Sequence, residues 1–413
     1  MVLLTIFVVL VLLYSLLSRR VERTVITAPI FFSAAGLLMF LMPHWLSAYE
    51  VERTSFLVIA ELGLVMTLFT DAAHIDLKVL KGNRNLPVRL LSTGMLLTIL
   101  LGAGFALVVF RGLSALEAGI LAAILAPTDA GLGQVIVSNL RVPMRIRQAL
   151  NVEAGLNDGL SVPFLMLFIA LALESKEGAG VVLTRFLQEQ IGYGMLVGLA
   201  IGLGGGWLLG IAQRRDWMAP GGRQIGLVTL PLLCMMLSEA TEASMFIAAF
   251  VAGLVVQIGF TDASKHSAEF VEDWGQLFNF FVFFFFGMAV VRVGLHFSLM
   301  SVLYALLSLT VVRMVPLALA LAGTGLSRST VLFMGWFGPR GLASIVLGLV
   351  YLEQQANLPG EETIRLAVMA TVLLSIFAHG LSALPGVNLY ARRIASLDSG
   401  APEHQALAEK STG

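Results

Sequence analysis

Long apolar runs recur from one end of the chain to the other, separated by short polar stretches. Each approaches the roughly 20 residues that a membrane-crossing helix needs. Hydropathy divides the sequence into about thirteen such segments. They fall near 2–17, 25–42, 54–71, 89–110, 115–138, 148–173, 190–212, 224–240, 244–260, 275–291, 298–322, 330–351 and 364–386. The pattern predicts an all-α polytopic membrane protein. The seventh segment is the least distinct, because Gly202, Gly204, Gly205 and Gly206 dilute it. The first run is apolar from Met1 to Leu17, and Arg19, Arg20 and Arg23 follow it. A signal peptide has its positive charge first, so this run predicts a first span with the N-terminus outside.

Charge supports that arrangement. Of the 26 Lys and Arg residues, 18 fall in loops placed on the cytoplasmic side. Arg53, Arg111, Lys176, Arg185, Arg292 and Arg365 fall outside, and Arg313 and Arg340 lie within spans. This is the positive-inside bias, and it predicts a multi-pass protein of the cell inner membrane. The polar tail, 391–413, is then cytoplasmic and too short for a regulatory domain. The composition is 58% hydrophobic and 13% charged, against about 25% charged for a soluble domain. Zero net charge suggests no nucleic-acid partner. The single cysteine, Cys234, excludes an internal disulfide and a multi-cysteine metal site. No His-Glu-x-x-His or Gly-x-Ser-x-Gly motif is present, so neither an enzyme nor a cofactor is expected.

An odd number of spans permits two inverted six-helix repeats, here 1–175 and 222–390, joined by a linker helix over 180–213. Such repeats are common in secondary transporters, where paired interrupted helices mark the binding site. The fifth segment holds Ala126-Pro127-Thr128-Asp129-Ala130-Gly131, and the twelfth holds Gly335-Trp336-Phe337-Gly338-Pro339-Arg340-Gly341. Proline removes a backbone donor and glycine loosens the helix. Both segments are therefore predicted to break and to cross. Freed backbone groups at membrane depth are tolerated only beside a cavity or other protein.

Charges inside spans cost roughly 2.5–3.5 kcal/mol each on insertion scales and are usually functional. Here they are Glu61, Asp71, Asp129, Glu153, Asp158, Arg313 and Arg340. Asp129 sits at the first break beside Thr128. Glu153 and Asn157 are four apart on one helix face, and Asp158 is turned from Glu153 by roughly 140°. One helix can thus present Asp158 to a cavity and Glu153 to a structural partner. Arg340, on the second break, is the predicted partner, because an unpaired buried guanidinium is costly. Arg313 is expected to snorkel or pair locally, Glu61 to face the bundle, with a functional role as the alternative, and His379 to be a buried hydrogen-bonded histidine. Asp71, near the cytoplasmic end of the third segment, is either solvated or part of an ion path.

Asp129 and Asp158 at a midplane cavity offer hard oxygens for which a proton and a monovalent cation compete. Thr128 adds a hydroxyl and a freed carbonyl. If only loaded states move between the two sides, exchange follows. The expected cargo is Na+ bound at Asp129, Asp158 and Thr128, with Li+ or K+ as alternatives. A cation channel would need a filter such as Thr-Val-Gly-Tyr-Gly, which is absent. An ion-coupled organic solute symporter could use the same scaffold, but two buried carboxylates disfavour an anionic substrate.

Leu125-Ala126-Pro127-Thr128-Asp129, Glu153 with Asn157-Asp158, and Gly338-Pro339-Arg340-Gly341 resemble the cation:proton antiporter-1 family of NhaP-type and animal sodium/proton exchangers. Ser238-Glu239 through Ala248-Ala249-Phe250-Val251-Ala252-Gly253-Leu254 resembles the same family. The resemblance implies a homodimer with a dimerisation bundle and a moving six-helix core. It implies Asp158 as the ion and proton carrier, and Asp129 and Thr128 as ion ligands. It assigns Glu153 and Arg340 to a structural ion pair, and the Asn157-Asp158 pair to electroneutral exchange. The chain departs from many bacterial members at Ala154, where they place a serine whose hydroxyl joins the site.

Overall fold

The computed structural model describes residues 2–21, 24–41, 53–75, 85–173, 179–264, 266–293, 297–354, 356–397 and 401–404. Of the 26 Lys and Arg residues whose distribution orients the chain, Arg23, Lys78, Lys81, Arg84, Lys176, Lys265 and Lys410 lie outside the described residues. So does most of the tail beyond Leu397.

The described secondary structure is entirely helical. In order it comprises α1 (Val2–Val21), α2 (Ala28–Leu38), α3 (Arg53–Ala73), α4 (Met95–Val109), α5 (Ala115–Ile124), α6 (Ala130–Val137) and α7 (Met144–Leu173). There follow α8 (Gly194–Arg214), α9 (Pro220–Ala240), α10 (Met245–Gly259), α11 (His266–Arg292), α12 (Leu299–Leu309), α13 (Val311–Ala320), α14 (Arg328–Trp336), α15 (Leu342–Glu353) and α16 (Glu361–Ile394). Short helices at Asn85–Arg89 and Ala179–Phe186 run into α4 and α8 through wide π-helical turns. Among the described residues, nine helices are long and apolar enough to cross a membrane, and four shorter apolar helices accompany them. Their order and positions follow the predicted segments.

Two groups of helices pack side by side. Helices α2, α3, α8, α9, α10 and α11 contact one another, with α1 against α11. Helices α4, α5, α6, α7, α12, α13, α14, α15 and α16 form the second bundle. The bundles meet where α7 and α15 lie against α3, α10 and α11. Outer faces such as Val8, Leu12 and Leu16 of α1 are apolar and exposed, as a surface in contact with lipid requires.

Two of the glycines that blur the seventh segment, Gly202 and Gly206, have a packing role together with Gly198. Gly198, Gly202 and Gly206 of α8 lie directly against the backbone of Ala248, Ala252 and Val256 of α10, so a β-carbon at any of them would strike a carbonyl oxygen. Repeating every four residues, they let the two helices approach as small-residue seams do in membranes. The eleventh segment bends at Thr310, between α12 and α13. The Thr310 hydroxyl donates to Leu306 O at 2.6 Å, competing with its own backbone N–H for that carbonyl. Pro316 removes a further donor within α13.

Candidate ion-binding site

The fifth and twelfth segments break at 125–129 and 337–341, and the two breaks touch. Asp129 N–H donates to Pro339 O at 2.8 Å. The Asp129 carboxylate then serves both breaks. Its Oδ1 accepts Leu132 N–H at 2.9 Å, capping α6, and its Oδ2 accepts Leu342 N–H at 2.5 Å, at the start of α15. Gly341, the N-cap of α15, has no side chain to cap that helix. A β-carbon there would overlap the Asp129 carboxylate. Glycine is thus required for one carboxylate to cap two half-helices, whose N-termini both favour negative charge.

Arg340 is fully buried and reaches across the crossing, where its Nη1 donates to Pro127 O at 3.1 Å. Its backbone N–H donates to Ser375 Oγ at 2.6 Å, and Ser375 Oγ lies 3.1 Å from His379 Nδ1. Freed backbone groups of each break are thus taken up by the other break and by Ser375 of α16, as burial demands.

The Glu153 partner differs from the expectation. Arg313 of α13, not Arg340, holds it through two parallel bonds, Nη1 to Oε1 at 2.5 Å and Nη2 to Oε2 at 3.0 Å. Both residues are buried. The pair is bidentate, the geometry in which a guanidinium fork fits a carboxylate best. Gly338 makes the approach possible, since a β-carbon there would overlap the Arg313 guanidinium. Arg340 takes the Pro127 carbonyl instead. Arg313 does not pair locally either, because its partner lies 160 residues away in sequence.

Asn157 is engaged with the first break. Its Oδ1 accepts Thr128 N–H at 3.2 Å, and its Nδ2 donates to Thr128 Oγ1 at 2.8 Å. Asp158, the next residue, is buried, and its Oδ1 has no hydrogen-bond partner. A cavity of about 20 Å³, room for one water or a bare cation, opens beside Thr128, Asp129, Asn151, Glu153, Ala154 and Pro339. The sequence reading did not single out Asn151. It lies three residues, about one turn, before Ala154; Asp158, expected to face the cavity, is not among its lining residues, while Glu153, expected to face away, is.

The profile of the family described as "Sodium/hydrogen exchanger, transmembrane" matches residues 2–388. The chain belongs to that family. It is 28% identical over 346 residues to the Na(+)/H(+) antiporter ApNhaP of Aphanothece halophytica, covering 79% of this chain and 63% of that protein. It is 25% identical over 303 residues to the K(+)/H(+) antiporter NhaP of Alkalimonas amylolytica, covering 72% of this chain and 51% of that protein. The fold matches the sodium proton antiporter MjNhaP1 of Methanocaldococcus jannaschii with a TM-score of 0.76 at 19% identity, over 95% of this chain and 99% of that one.

One carboxylate of this exchanger-family chain approaches the site from the other bundle. Asp71 of α3 lies against Gly155 of α7, so close that a β-carbon at Gly155 would stand 3.1 Å from Asp71 Cβ. Asp71 Oδ2 is buried and has no hydrogen-bond partner. One turn further along α7, Gly159 faces the Phe250 ring of α10. At Gly155 and Gly159 the bundles thus meet on a nearly side-chain-free strip of α7. Glu61 is half-buried on α3.

Proposed function

We propose that this chain is a secondary antiporter that exchanges one monovalent cation, Na+ as first candidate, for one proton. The observation that carries the reading is the free Asp158 carboxylate at the crossing of two broken helices. Around it, Asn157, Thr128, Asp129 and Glu153 are all engaged by protein groups. A buried carboxylate without a protein partner must be neutralised. A proton or a cation can do that, and each excludes the other. That exclusion couples the two flows without any further device.

In this reading Asp158 is the carrier. Thr128 and Asp129 supply further oxygens, because an ionised carboxylate with two bonds still has free acceptor capacity. Asn157 positions Thr128. Asp71 contributes a carboxylate from the facing bundle. Glu153 and Arg313 form a neutral strut, and Arg340 compensates charge at the crossing. The curated relatives include proteins named for Na+ and for K+, so both ions belong in the test, with Li+. The basic loops support a cytoplasmic C-terminus in the inner membrane. The family resemblance supports a homodimer.

The test uses purified chain in liposomes with an imposed pH gradient, reading proton flux on addition of Na+, K+ or Li+. Saturable, cation-driven proton flux is expected, and Asp158→Asn should abolish it in a folded protein. No response of the wild type to any of the three ions, or normal flux in Asp158→Asn, would overturn the reading. Unitary currents in bilayers would mean a channel.

A further inference from the structure

Beyond α16 the chain returns to the bundle. Pro402–His404 form a single 3-10 turn, and the Glu403 side chain is only 2% exposed. Its Oε1 accepts Ser327 N–H and the Thr330 hydroxyl, both at 2.8 Å. Ser327 is the N-cap of α14, and its hydroxyl accepts Thr330 N–H at 3.3 Å. In a capping box the third helical residue is an acid or amide that reaches back to the N-cap N–H. In α14 that residue is Thr330, and the first turn holds no acid. Glu403 supplies the missing carboxylate from 76 residues away.

The same turn binds a second helix. Pro402 O accepts Arg145 Nη1 of α7 at 2.9 Å. The Thr330 hydroxyl also lies 3.0 Å from Tyr390 Oη, and the Tyr390 ring stacks on Phe333 with centroids 4.0 Å apart. The turn therefore fastens together the starts of α14 and α7 and the end of α16. Helix α14 leads into the break at 337–341, and α7 carries Glu153, Asn157 and Asp158.

We propose that Pro402–Glu403 is a positioning clasp for the ion site, completing the cap of α14 and tying its base to α7 so that the two move as one body. The proposal rests on the antiport reading above. Neither residue touches the site, so the action is through α14 and α7.

The experiment compares wild type, Glu403→Ala and Glu403→Gln, as full chains in liposomes. Hydrogen exchange is read at 327–336, together with apparent cation affinity, maximal rate and pH profile. Glu403→Ala should speed amide exchange in the first turn of α14 about fivefold, as loss of a cap does. It should also weaken apparent cation affinity by a similar factor. Glu403→Gln keeps an acceptor oxygen and should restore both to within about twofold of wild type. A merely structural role would lower thermal stability and leave the affinity and pH profile of the folded fraction unchanged. That result would overturn the proposal, as would unchanged exchange at 327–330. Should Glu403→Ala fail to fold, Thr330→Val removes one donor and reads the same way, with smaller shifts. The hydrogen-exchange arm does not depend on transport, so it tests the clasp even if no cation drives proton flux.

Discussion

Asp129 Oδ2 accepts the backbone N–H of Leu342 at 2.5 Å while its Oδ1 caps α6 through Leu132. One carboxylate thus closes the N-termini of half-helices from two segments. An amide cannot do this, because only one of its two terminal atoms is an acceptor. Asp129→Asn would set an NH2 group against one of the two N–H donors. A loss of about 1–3 kcal/mol, the cost of an unsatisfied buried donor, should appear as a lower melting temperature, with weaker apparent cation affinity. A variant as stable as wild type would mean that the second cap is not made.

Glu153 and Arg313 should show strong coupling. Removing either leaves a buried charge without its partner, at a cost of about 3–5 kcal/mol. A double-mutant cycle with Glu153→Gln and Arg313→Met should give a coupling of about 2–3 kcal/mol, the upper end for residues in contact. The parallel cycle between Glu153 and Arg340 should give much less, since Arg340 binds the Pro127 carbonyl. Larger coupling to Arg340 would reverse the assignment.

The contrast between these two arginines marks the limit of what the sequence reveals. Pro127 and Pro339, each with glycine nearby, locate both breaks, because backbone chemistry is local. The spacing of Glu153 from Asp158 separates two faces of one helix for the same reason. Which arginine arrives at Glu153 depends on α13 and α14 folding back from 160 residues away. The room for Arg313 comes from Gly338, which reads in sequence only as a helix breaker. The glycines of α8 weaken its hydropathy, yet three of them pack α10 backbone to backbone. Glu403 lies in a polar tail with no pattern to announce the N-terminus it meets.

Ala154 lines the cavity beside Thr128, Asp129 and Asn151. Ala154→Ser adds one hard oxygen there and little volume. Hard monovalent cations take oxygen ligands, so apparent affinity should rise about threefold, within the range of one hydrogen-bond-sized contact. The gain should differ among Li+, Na+ and K+, because one added oxygen suits one ionic radius best. Equal affinities for all three ions, unchanged from wild type, would place the cation away from this cavity.

Glu403 has a defined pH signature. Burial alone would raise its carboxyl, but the bonds from Ser327 and Thr330 outweigh that and hold it below the ordinary range. The titratable groups around it are His404, the next residue in the turn, Arg145 of α7, which binds Pro402 O, and Tyr390 of α16, which meets the same Thr330 hydroxyl. A depressed folded-state pKa gives stability that is fully present above the unfolded value and lost as pH falls through the folded one. The melting-temperature difference between wild type and Glu403→Gln should therefore be constant around neutral pH. It should shrink only below about 4.3, the ordinary glutamate value. A difference that fades between pH 6 and 8, roughly the histidine range, would mean that another group controls the turn.

Charge counting at the crossing leads to the strongest test of mechanism. Glu153 is neutralised by Arg313, and Asn157 carries no charge. Asp129 is held by backbone donors of both breaks, near the Arg340 guanidinium that spans them. Two carboxylates remain with an unpartnered oxygen, Asp158 on α7 and Asp71 on α3. They belong to different bundles, and only Asp158 lies on the helix that binds the first break, through the neighbouring Asn157. One exchangeable charge means that one cation replaces one proton, and net charge movement is zero. With equal Na+ on both sides of a liposome and no pH gradient, a potential set by potassium and valinomycin should then drive no sustained proton flux. Where K+ is itself carried, another ion must set the potential. Asp71→Asn should weaken apparent cation affinity and leave that null response intact. Sustained potential-driven proton movement in the wild type would mean that unequal charges cross. If Asp71→Asn then abolished it, the second carrier would be Asp71, and the site would have to be redrawn across both bundles.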